Sequence, residues 1–506
     1  MKIDEERCRG CGLCARDCPV EAISMRHKKA NIDQAKCTWC GVCSRVCPEG
    51  AVLKGDLEPE GAITCESCPI KCKINAGYRG ACHRYENQGG RLVRLTPLHP
   101  FSAVKDTVGP EPAVEIRQPI ITGIGAGTTY PDCKPSPFIV RQRRGQADVV
   151  TVVTEAPLSY STLMVKIDTD LPVGEEGARV FARKCRVGMV TTEQYGSKML
   201  SIGGVNLLTG TDGFVVARTM TKLANREKVK LKIDGGARLE IQVGQPPIIG
   251  GESPSRMRVG CGSATMGLFA PLFIQAADEV IVLDSHITSL MSLHEAGKFV
   301  GARPTGVKLR FPMSTPGRYF GDKGNGWGGT SIEEPEQVIQ SIDMTVAWPG
   351  MRILITETTG TKAAYFVLQE NGSLKRIPLP PEARKAVKAI EDACEPSRVS
   401  ALFLGGTGGS ARAGVVKHPL RLTQAVHQAK ACITVGGAPT FLLPGGGINF
   451  MVDVERVKKG AFYWTPTPAM ICPVEYTMLL ADYEAMGGHL EAMKPFQAIE
   501  PREVLD

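Results

Sequence analysis

Two cysteine runs near the amino terminus constrain this chain more than any other feature of its sequence. Residues 8–19 read CRGCGLCARDCP and residues 37–48 read CTWCGVCSRVCP, so one pattern, C-x2-C-x2-C-x3-C-P, occurs twice. In this pattern three close thiolates each hold one corner of an iron–sulfur cube, and the fourth cysteine crosses to the other cube. The runs therefore predict two [4Fe–4S] clusters.

The pattern resembles that of the two-cluster bacterial ferredoxins, and this resemblance assigns each cysteine to a cluster. The Cys8 set comprises Cys8, Cys11, Cys14 and Cys47, and the Cys37 set comprises Cys18, Cys37, Cys40 and Cys43. A pair of zinc knuckles is the alternative, but zinc spacing rarely takes this form twice with a proline after each fourth cysteine. We expect residues 1–55 to form an α+β ferredoxin-type domain with short paired strands.

A further group of four cysteines follows within residues 60–100, which we call the four-cysteine module. Cys65, Cys68, Cys72 and Cys82 give the spacing C-x2-C-x3-C-x9-C. Four thiolates could bind a third iron–sulfur cluster, either [2Fe–2S] or [4Fe–4S], or close a structural zinc site, and the spacing leaves both open. The position of the module after the two runs suggests the exit of an electron relay.

The overall composition indicates a multidomain protein of a reducing compartment. Twelve of the 18 cysteines fall within the first 82 residues, and CxxC groups without an apolar leader favour metal ligation over disulfides. No apolar run reaches the roughly 18 residues of a membrane helix, so we expect a cytoplasmic protein that does not associate with membranes. The net charge of +8 is dispersed, which disfavours nucleic acid as a partner. A homo-oligomer is compatible with these features, but no motif fixes the oligomeric state.

The remaining four hundred residues predict a large α/β body. Apolar runs bounded by turn formers predict buried strands, and three segments have helical spacing. The strand segments are ADVVTVVTEA, EVIVLDS, RILITETTG, SALFLGG and ACITVGGAPTFLL, and the helical ones are GLFAPLFIQAAD, PPEARKAVKAIEDAC and HPLRLTQAVHQAK. The turn-rich stretch GQPPIIGGESPS predicts a division of the body into residues 101–250 and 251–506.

Several short motifs in the body could contact a nucleotide-like cofactor. The glycine-rich stretches at 405–414 and 444–450 follow apolar strands, where bare amides could hold a phosphate or simply form tight turns. Proteins that carry flavin mononucleotide on a threonine phosphoester usually read Ser-Gly-Ala-Thr, and residues 262–265 read Gly-Ser-Ala-Thr. Thr265 is therefore a candidate flavin attachment point, although a helix start capped by Ser263 explains the same residues.

Three residues are candidates for substrate chemistry. His286 and His294 follow the strand EVIVLDS, and α/β proteins commonly place ligands beyond the carboxyl ends of buried strands. Either histidine could donate a proton, although most single histidines are structural. Arg318, in the glycine-rich segment RYFGDKGNGWGG, could bind a carboxylate with both guanidinium branches.

The order of these parts resembles the ferredoxin-dependent 6-hydroxynicotinate reductases of nicotinate degradation. The resemblance implies an iron–sulfur flavoprotein, with FMN or FAD bound covalently, that reduces 6-hydroxynicotinate to 1,4,5,6-tetrahydro-6-oxonicotinate. It implies reduced ferredoxin or a similar low-potential donor as one partner and a small aromatic carboxylate as substrate. Other readings are a reductase of another heteroaromatic or enone, an electron-transfer or scaffold subunit, and a lyase or hydrolase whose clusters sense redox state.

Overall fold

The computed structural model divides the chain near residue 104 into an amino-terminal unit and a larger body. It describes residues 1–55, 61–66, 70–83, 85–95, 111–122, 135–136, 138–158, 161–194, 197–310, 322, 324–464 and 470–496. Arg318 and Cys68 lie outside the described residues.

The amino-terminal unit begins with two copies of one structural repeat, offset by 29 residues from Cys8 to Cys37. Each copy contributes a short helix, Leu13–Arg16 or Val42–Val46. Strand Ile23–Arg26 pairs with Lys29–Ile32, and strand Lys2–Ile3 pairs with Val52–Leu53. These elements confirm the α+β arrangement and the short paired strands predicted for residues 1–55.

The same backbone contacts recur in both copies. The carbonyl oxygen of Asp4 accepts from the amide of Cys8 at 3.0 Å, and that of Asp33 accepts from Cys37 at 3.0 Å. Each aspartate also accepts backbone amides on its carboxylate, which fixes the turn that leads into the cysteine loop. The repeat in the sequence is thus a pseudo-twofold repeat in the fold.

The four-cysteine module is built from two small hairpins. Strand Ile63–Thr64 pairs with Lys73–Ile74, and strand Tyr85–Gln88 pairs with Arg91–Arg94. The buried side-chain amide of Asn87 donates to the carbonyl oxygen of Ile74 at 2.8 Å and so links the two hairpins.

Most strands of the body belong to one long sheet, in which 16 strands are described. Their pairing is antiparallel except where Lys494–Pro495 meets Phe138–Arg144. The strands are Phe138–Arg144, Ala147–Leu158, Thr162–Asp168, Arg179–Ala182, Cys185–Gln194, Ser197–Gly203, Val229–Ile233, Arg238–Ile241, Ile248–Ile249, Arg398–Thr407, Ala431–Val435, Ala438–Leu443, Ile448–Asp453, Tyr463–Trp464, Met470–Leu479 and Lys494–Pro495.

A second, five-stranded sheet lies between residues 279 and 377 of the body. Its strands, in spatial order, are Ser289–Leu290, Glu279–Leu283, Arg352–Glu357, Ala363–Leu368 and Leu374–Ile377. Strands Glu279–Leu283 and Arg352–Glu357 run parallel, so their carboxyl ends meet at one edge. Strand Val307–Leu309 pairs separately with Ile339–Ile342.

Among the described residues of the body, helices are fewer than strands. They are Val205–Leu208, Gly213–Ala224, Gly262–Ala276, Glu295–Phe299, Pro381–Ala393, Gly409–Ala413, Pro419–His427 and Leu480–Ala485. Helices Gly262–Ala276 and Pro381–Ala393 share one apolar core with the five-stranded sheet. That sheet therefore forms a layered subdomain whose strand ends can carry a site.

The body confirms the predicted segments but refines how they are arranged. The predicted strand and helix segments form the expected element types, with ACITVGGAPTFLL divided into a hairpin at Gly436–Gly437. The body combines sheets with helices, but most strand pairs are antiparallel, because alternating strand and helix signals do not reveal which strands pair. Residue 250 marks the point where the chain leaves the long sheet after Ile249, and the chain returns to that sheet at Arg398.

No helix in the described ranges is both long enough and apolar enough to cross a membrane.

Candidate functional site

The Cys8 set surrounds a cavity in the amino-terminal unit. Cys8, Cys11, Cys14 and Cys47 all line this cavity, which contains about 350 Å³ of space, part of it open to solvent. Burial raises the pKa of Cys14, and the nearby thiols of Cys47 and Cys11 raise it further. The fold thus brings the fourth cysteine of the second run to the first three cysteines of the first run.

The Cys37 set comes together in the same crossed manner. Burial raises the pKa of Cys43 to about 11, with further contributions from the thiols of Cys37, Cys40 and Cys18. Because such electrostatic effects require short distances, the fourth cysteine of the first run lies near the three close cysteines of the second.

The loops around both sets are suited to bind iron–sulfur clusters. The amide of Ala22 donates to Sγ of Cys18 at 3.2 Å, and the amide of Ala51 donates to Sγ of Cys47 at 3.3 Å. Hydrogen bonds to cysteine sulfur are one of the means by which proteins tune cluster potentials. In the described ranges no three His, Cys, Asp or Glu side chains converge on the position of a single metal ion. The thiols of the Cys8 set line a void.

Three of the four cysteines of the module line a second cavity. Cys65 and Cys72 are buried, Cys82 is exposed, and all three line a cavity with about 990 Å³ of space, part of it open to solvent. The amide of Cys65 donates to the carbonyl oxygen of Cys72 at 2.9 Å. Because Cys68 lies outside the described residues, the four-thiolate set and its choice between zinc and iron–sulfur remain predictions.

In the body, the edge formed by the two parallel strands carries a cluster of polar groups. Leu283 pairs with Glu357 in the parallel register, so the residues that follow each strand emerge side by side. Gly328, at φ +61°, packs over this edge and donates its amide to Oε2 of Glu357 at 2.8 Å. A Cβ at position 328 would lie 2.4 Å from the carbonyl oxygen of Leu283, so the close approach requires glycine.

Arg258 is the central cation of this cluster. Its Nε donates to Oδ1 of Asp170 at 2.8 Å, and Nη1 donates to Oδ1 of Asp284. The side chain is only 2% exposed. Burial alone would lower the pKa of Arg258, but Asp284 and Asp170 outweigh burial and raise it. The guanidinium is therefore held charged, and each of its three nitrogens donates to a protein acceptor.

A polar cavity adjoins this cluster. It contains about 1250 Å³ of space, part of it open to solvent, and its wall includes Asp170, Arg258 and Glu357. Further lining comes from Lys362, Asn325 and glycines of the stretch GNGWGG. A cavity with several charged groups and close backbone amides at a strand edge is suited to a small polar ligand.

His286 lies beside the charged cluster, three residues beyond strand Glu279–Leu283. Its amide donates to Oδ2 of Asp284 at 3.1 Å, and its ring Nε2 lies 3.1 Å from the carbonyl oxygen of Glu193. A carbonyl oxygen can only accept, so Nε2 carries the proton and Nδ1 accepts from the hydroxyl of Ser285 at 3.2 Å. Burial lowers the pKa of His286 and favours the neutral ring.

His294 has a helix-capping role. Its Nδ1 accepts from the amide of Ala296 at 3.1 Å at the start of helix Glu295–Phe299, and Nε2 lies 2.9 Å from Oγ of Ser263. The cap requires an unprotonated Nδ1, so Nε2 donates to Ser263. Burial lowers the pKa of His294, in agreement with a neutral ring.

Thr265 lies in the first turn of helix Gly262–Ala276 and is fully buried. Its hydroxyl has no hydrogen-bond partner among the described atoms, and Thr265 does not line the polar cavity. The predicted cap at Ser263 is wrong, because Cys261 occupies the cap position and its Sγ accepts from the amide of Ala264 at 3.4 Å. Small residues suit the start of this helix because Gly262 packs against the carbonyl oxygens of Ile287 and Val282.

The two glycine-rich stretches predicted as cofactor loops lie next to each other. Strand Arg398–Thr407 pairs with Ile448–Asp453, and Thr407 is opposite Ile448. Gly408–Gly409 and Gly445–Gly447 therefore extend from the same end of neighbouring strands. Four of these glycines, Gly408, Gly409, Gly446 and Gly447, have open space where a side chain would point.

Sequence reasoning singled out His286 and the stretch GNGWGG, whose roles stay predictions, but missed the charged cluster. Asp170, Arg258 and Glu357 come from three distant segments, and none belongs to a motif. Glu193 and Lys198 add a buried ion pair at 3.6 Å on paired strands next to His286. Charged residues in otherwise apolar strand patterns, as at Lys198, were the available signal.

Comparisons with known proteins agree with the cysteine geometry. Residues 1–53 match a family model described as a 4Fe-4S dicluster domain. The chain is 50% identical over 496 residues to 6-hydroxynicotinate reductase of Eubacterium barkeri. The aligned region covers 98% of this chain and 99% of that protein. A stretch of 28 residues is 54% identical to pyruvate synthase subunit PorD of Methanothermobacter marburgensis, over 6% of this chain and 35% of that subunit. No solved structure is significantly similar to the chain.

Proposed function

The chain belongs to the 6-hydroxynicotinate reductase family, and we propose that it reduces 6-hydroxynicotinate to 1,4,5,6-tetrahydro-6-oxonicotinate with electrons from a reduced ferredoxin. The observation that carries this proposal is the identity of 50%, which extends over 98% of the chain and so includes both the cysteine unit and the body. The amino-terminal domain binds [4Fe–4S] clusters, and the enzyme is an oxidoreductase.

The cysteine sets provide the binding groups for these clusters. Cys8, Cys11, Cys14 and Cys47 would hold one cluster in the cavity that they line. Cys18, Cys37, Cys40 and Cys43 would hold the other. When bound, iron–sulfur clusters store and pass single electrons at low potential. The amides of Ala22 and Ala51 would stabilise the negative charge on the ligating sulfurs.

We place the substrate in the polar cavity of the body. The carboxylate of the substrate needs a cation, but Arg258 already pairs with the carboxylates of Asp170 and Asp284. Lys362 also lines the cavity, is exposed, and forms no ion pair within the described residues. Lys362 can therefore bind the substrate carboxylate; Arg318, the anchor proposed from the sequence, would act from a segment outside the described residues.

The ring reduction also requires a proton donor and a donor of hydrogen bonds to the developing enolate-like oxygen. Both ring nitrogens are engaged in each proposed acid, in His294 with Ala296 and Ser263 and in His286 with Glu193 and Ser285. We propose His286 as the acid because of its position. His286 adjoins the charged cluster through Asp284. Replacement of His286 by Asn should lower kcat, whereas His294→Asn should mainly reduce thermal stability.

A flavin is the proposed two-electron carrier between the clusters and the substrate, because ferredoxins deliver electrons singly. The structure does not fit covalent attachment at Thr265, since the residue is fully buried and does not line the polar cavity. Thr265 remains the attachment point that the sequence predicts. Mass spectrometry of the tryptic peptide 259–298 tests flavin attachment at Thr265. A peptide that carries the added mass of the flavin supports the attachment, and an unmodified peptide excludes Thr265.

The proposed activity is tested by anaerobic assay with chemically reduced viologen as donor. We expect consumption of 6-hydroxynicotinate with formation of the tetrahydro product. The comparison substrates are nicotinate, which lacks the oxygen substituent on the ring, other pyridones and simple enones. If one of these compounds has a higher kcat/KM, that compound and not 6-hydroxynicotinate is the preferred substrate, and the protein is still a reductase.

A further inference from the structure

The pseudo-twofold repeat of the amino-terminal unit is broken at one pair of equivalent cysteines. Cys11 and Cys40 occupy the same position in the two runs, 29 residues apart. Cys11 is exposed, whereas Cys40 is half-buried and packs against the apolar cluster of Cys65, Cys72 and Ile74. One half of the repeat therefore faces solvent, and the other half faces the four-cysteine module.

The cavity of the module has a wall contributed by the Cys37 set. Pro19 and Val42 line this cavity together with Cys65, Cys72 and Cys82. Pro19 directly follows Cys18, and Val42 directly precedes Cys43, so both come from loops that carry members of the Cys37 set. None of the described residues lining this cavity is adjacent in sequence to a member of the Cys8 set.

Hydrogen bonds fix the module to the same side. The amide of Lys73 donates to the carbonyl oxygen of Thr38, between Cys37 and Cys40, at 2.9 Å. The side-chain amide of Asn75 donates to the carbonyl oxygen of Ala35 at 2.8 Å, and Nε2 of His83 lies 2.6 Å from the carbonyl oxygen of Pro19. Each acceptor lies within two residues of a cysteine of the Cys37 set.

We infer that the module holds a redox-active iron–sulfur centre against the Cys37 set, so that electrons pass from the Cys8 set to the Cys37 set and then to the module. This inference rests on the proposed function. In each transfer one centre loses one electron and the next gains one, and the low-potential ferredoxin-type donor supplies the first. The exposed Cys11 side is left for that donor. A zinc ion has no redox change and could not take this place.

Magnetic coupling between reduced centres tests this order independently of activity. Cys14→Ser and Cys43→Ser alter equivalent positions of the two sets, and Cys185→Ser in the body is a thiol control. In anaerobically reduced protein, broadening of the module's electron paramagnetic resonance signal should persist in Cys14→Ser and Cys185→Ser and disappear in Cys43→Ser. Loss of broadening in Cys14→Ser but not in Cys43→Ser would overturn the order, as would about eight irons and one zinc per chain.

Wild-type protein provides a second test if either variant fails to fold. At partial reduction, pulsed measurements should show one strong and one weak coupling between the module and the two clusters, and two equal couplings would overturn the inference. The same preparation is assayed for reduction of 6-hydroxynicotinate. Turnover with a zinc-containing module would refute the relay order alone, whereas absence of turnover with correct coupling would refute the proposed function alone.

Discussion

Replacement of Arg258 by Met should strongly destabilise the body. The guanidinium is 2% exposed and contacts Asp170 and Asp284, whose side chains are 24% and 0% exposed. Its removal leaves two carboxylates, one of them fully buried, without their closest cation. Breaking a buried ion pair by removing one partner costs about 3–5 kcal/mol, a large part of the roughly 5–15 kcal/mol that stabilises a typical domain.

A matched control lies two residues away. Arg256 is 40% exposed and pairs with Glu391 at 3.2 Å, so Arg256→Met should cost only about 0–1 kcal/mol. Urea unfolding followed by far-ultraviolet circular dichroism measures both variants, with an unchanged slope required for comparison. Equal costs for the two variants, within about 0.5 kcal/mol, would refute the claim that Arg258 neutralises a buried acidic pair.

Removal of the buried carboxylate gives a further check. The double variant Arg258→Met/Asp284→Asn should be more stable at neutral pH than Arg258→Met alone, because it no longer leaves Asp284 as a buried charge without its cation.

Three other predictions concern the repeat, a surface ion pair and the cavity. The variant Gly10→Ala should lose far more cluster iron than the variant Gly12→Ala. Both glycines have φ near +73°, but a Cβ at Gly10 would lie 2.1 Å from the carbonyl oxygen of Lys28, whereas a Cβ at Gly12 would point into open space. Equal iron contents in the two variants would contradict this prediction. Asp278→Asn should lower the free energy of unfolding by about 1 kcal/mol at neutral pH, because bonds from Arg352 outweigh burial and lower the pKa of Asp278. The stability contributed by the ionised Asp278 is lost as the pH falls below 3.8, so wild type and Asp278→Asn should have equal free energies of unfolding in acid. A difference that persists in acid would contradict the role of the Asp278–Arg352 ion pair. Replacement of Lys362 by Ala should raise KM for 6-hydroxynicotinate about tenfold, equivalent to about 1.4 kcal/mol of binding free energy, without changing kcat. The surface variant Lys375→Ala is the control. An unchanged KM in Lys362→Ala, or the same increase in Lys375→Ala, would exclude Lys362 as the anchor of the substrate carboxylate.

The sequence predicted the parts of this protein whose structure is determined locally. The resemblance of the two cysteine runs to the two-cluster ferredoxins implies which thiolates share a cluster, and the fold brings Cys47 to Cys14 as that pattern requires. The strand Glu279–Leu283 and the position of His286 beyond it were likewise readable from an apolar run and the turn formers after it.

The parts that escaped prediction depend on contacts between distant segments. Asp170 and Arg258 are 88 residues apart, and nothing in either local sequence indicates the other. His294 also contacts Ser263, which is 31 residues away, and the cap at Cys261 reverses the expectation for Ser263. Antiparallel pairing in the long sheet was missed for the same reason, because periodicity identifies a strand but not its neighbour.

The most direct test of the central claim is the electron stoichiometry of 6-hydroxynicotinate reduction by the purified, iron-replete protein under anaerobic conditions. Two molecules of one-electron-reduced viologen should be oxidised per molecule of tetrahydro product, and Cys43→Ser should abolish this donor-dependent turnover while Cys185→Ser retains it. Product formation that continues undiminished in Cys43→Ser would contradict a path through the amino-terminal cysteines to the substrate.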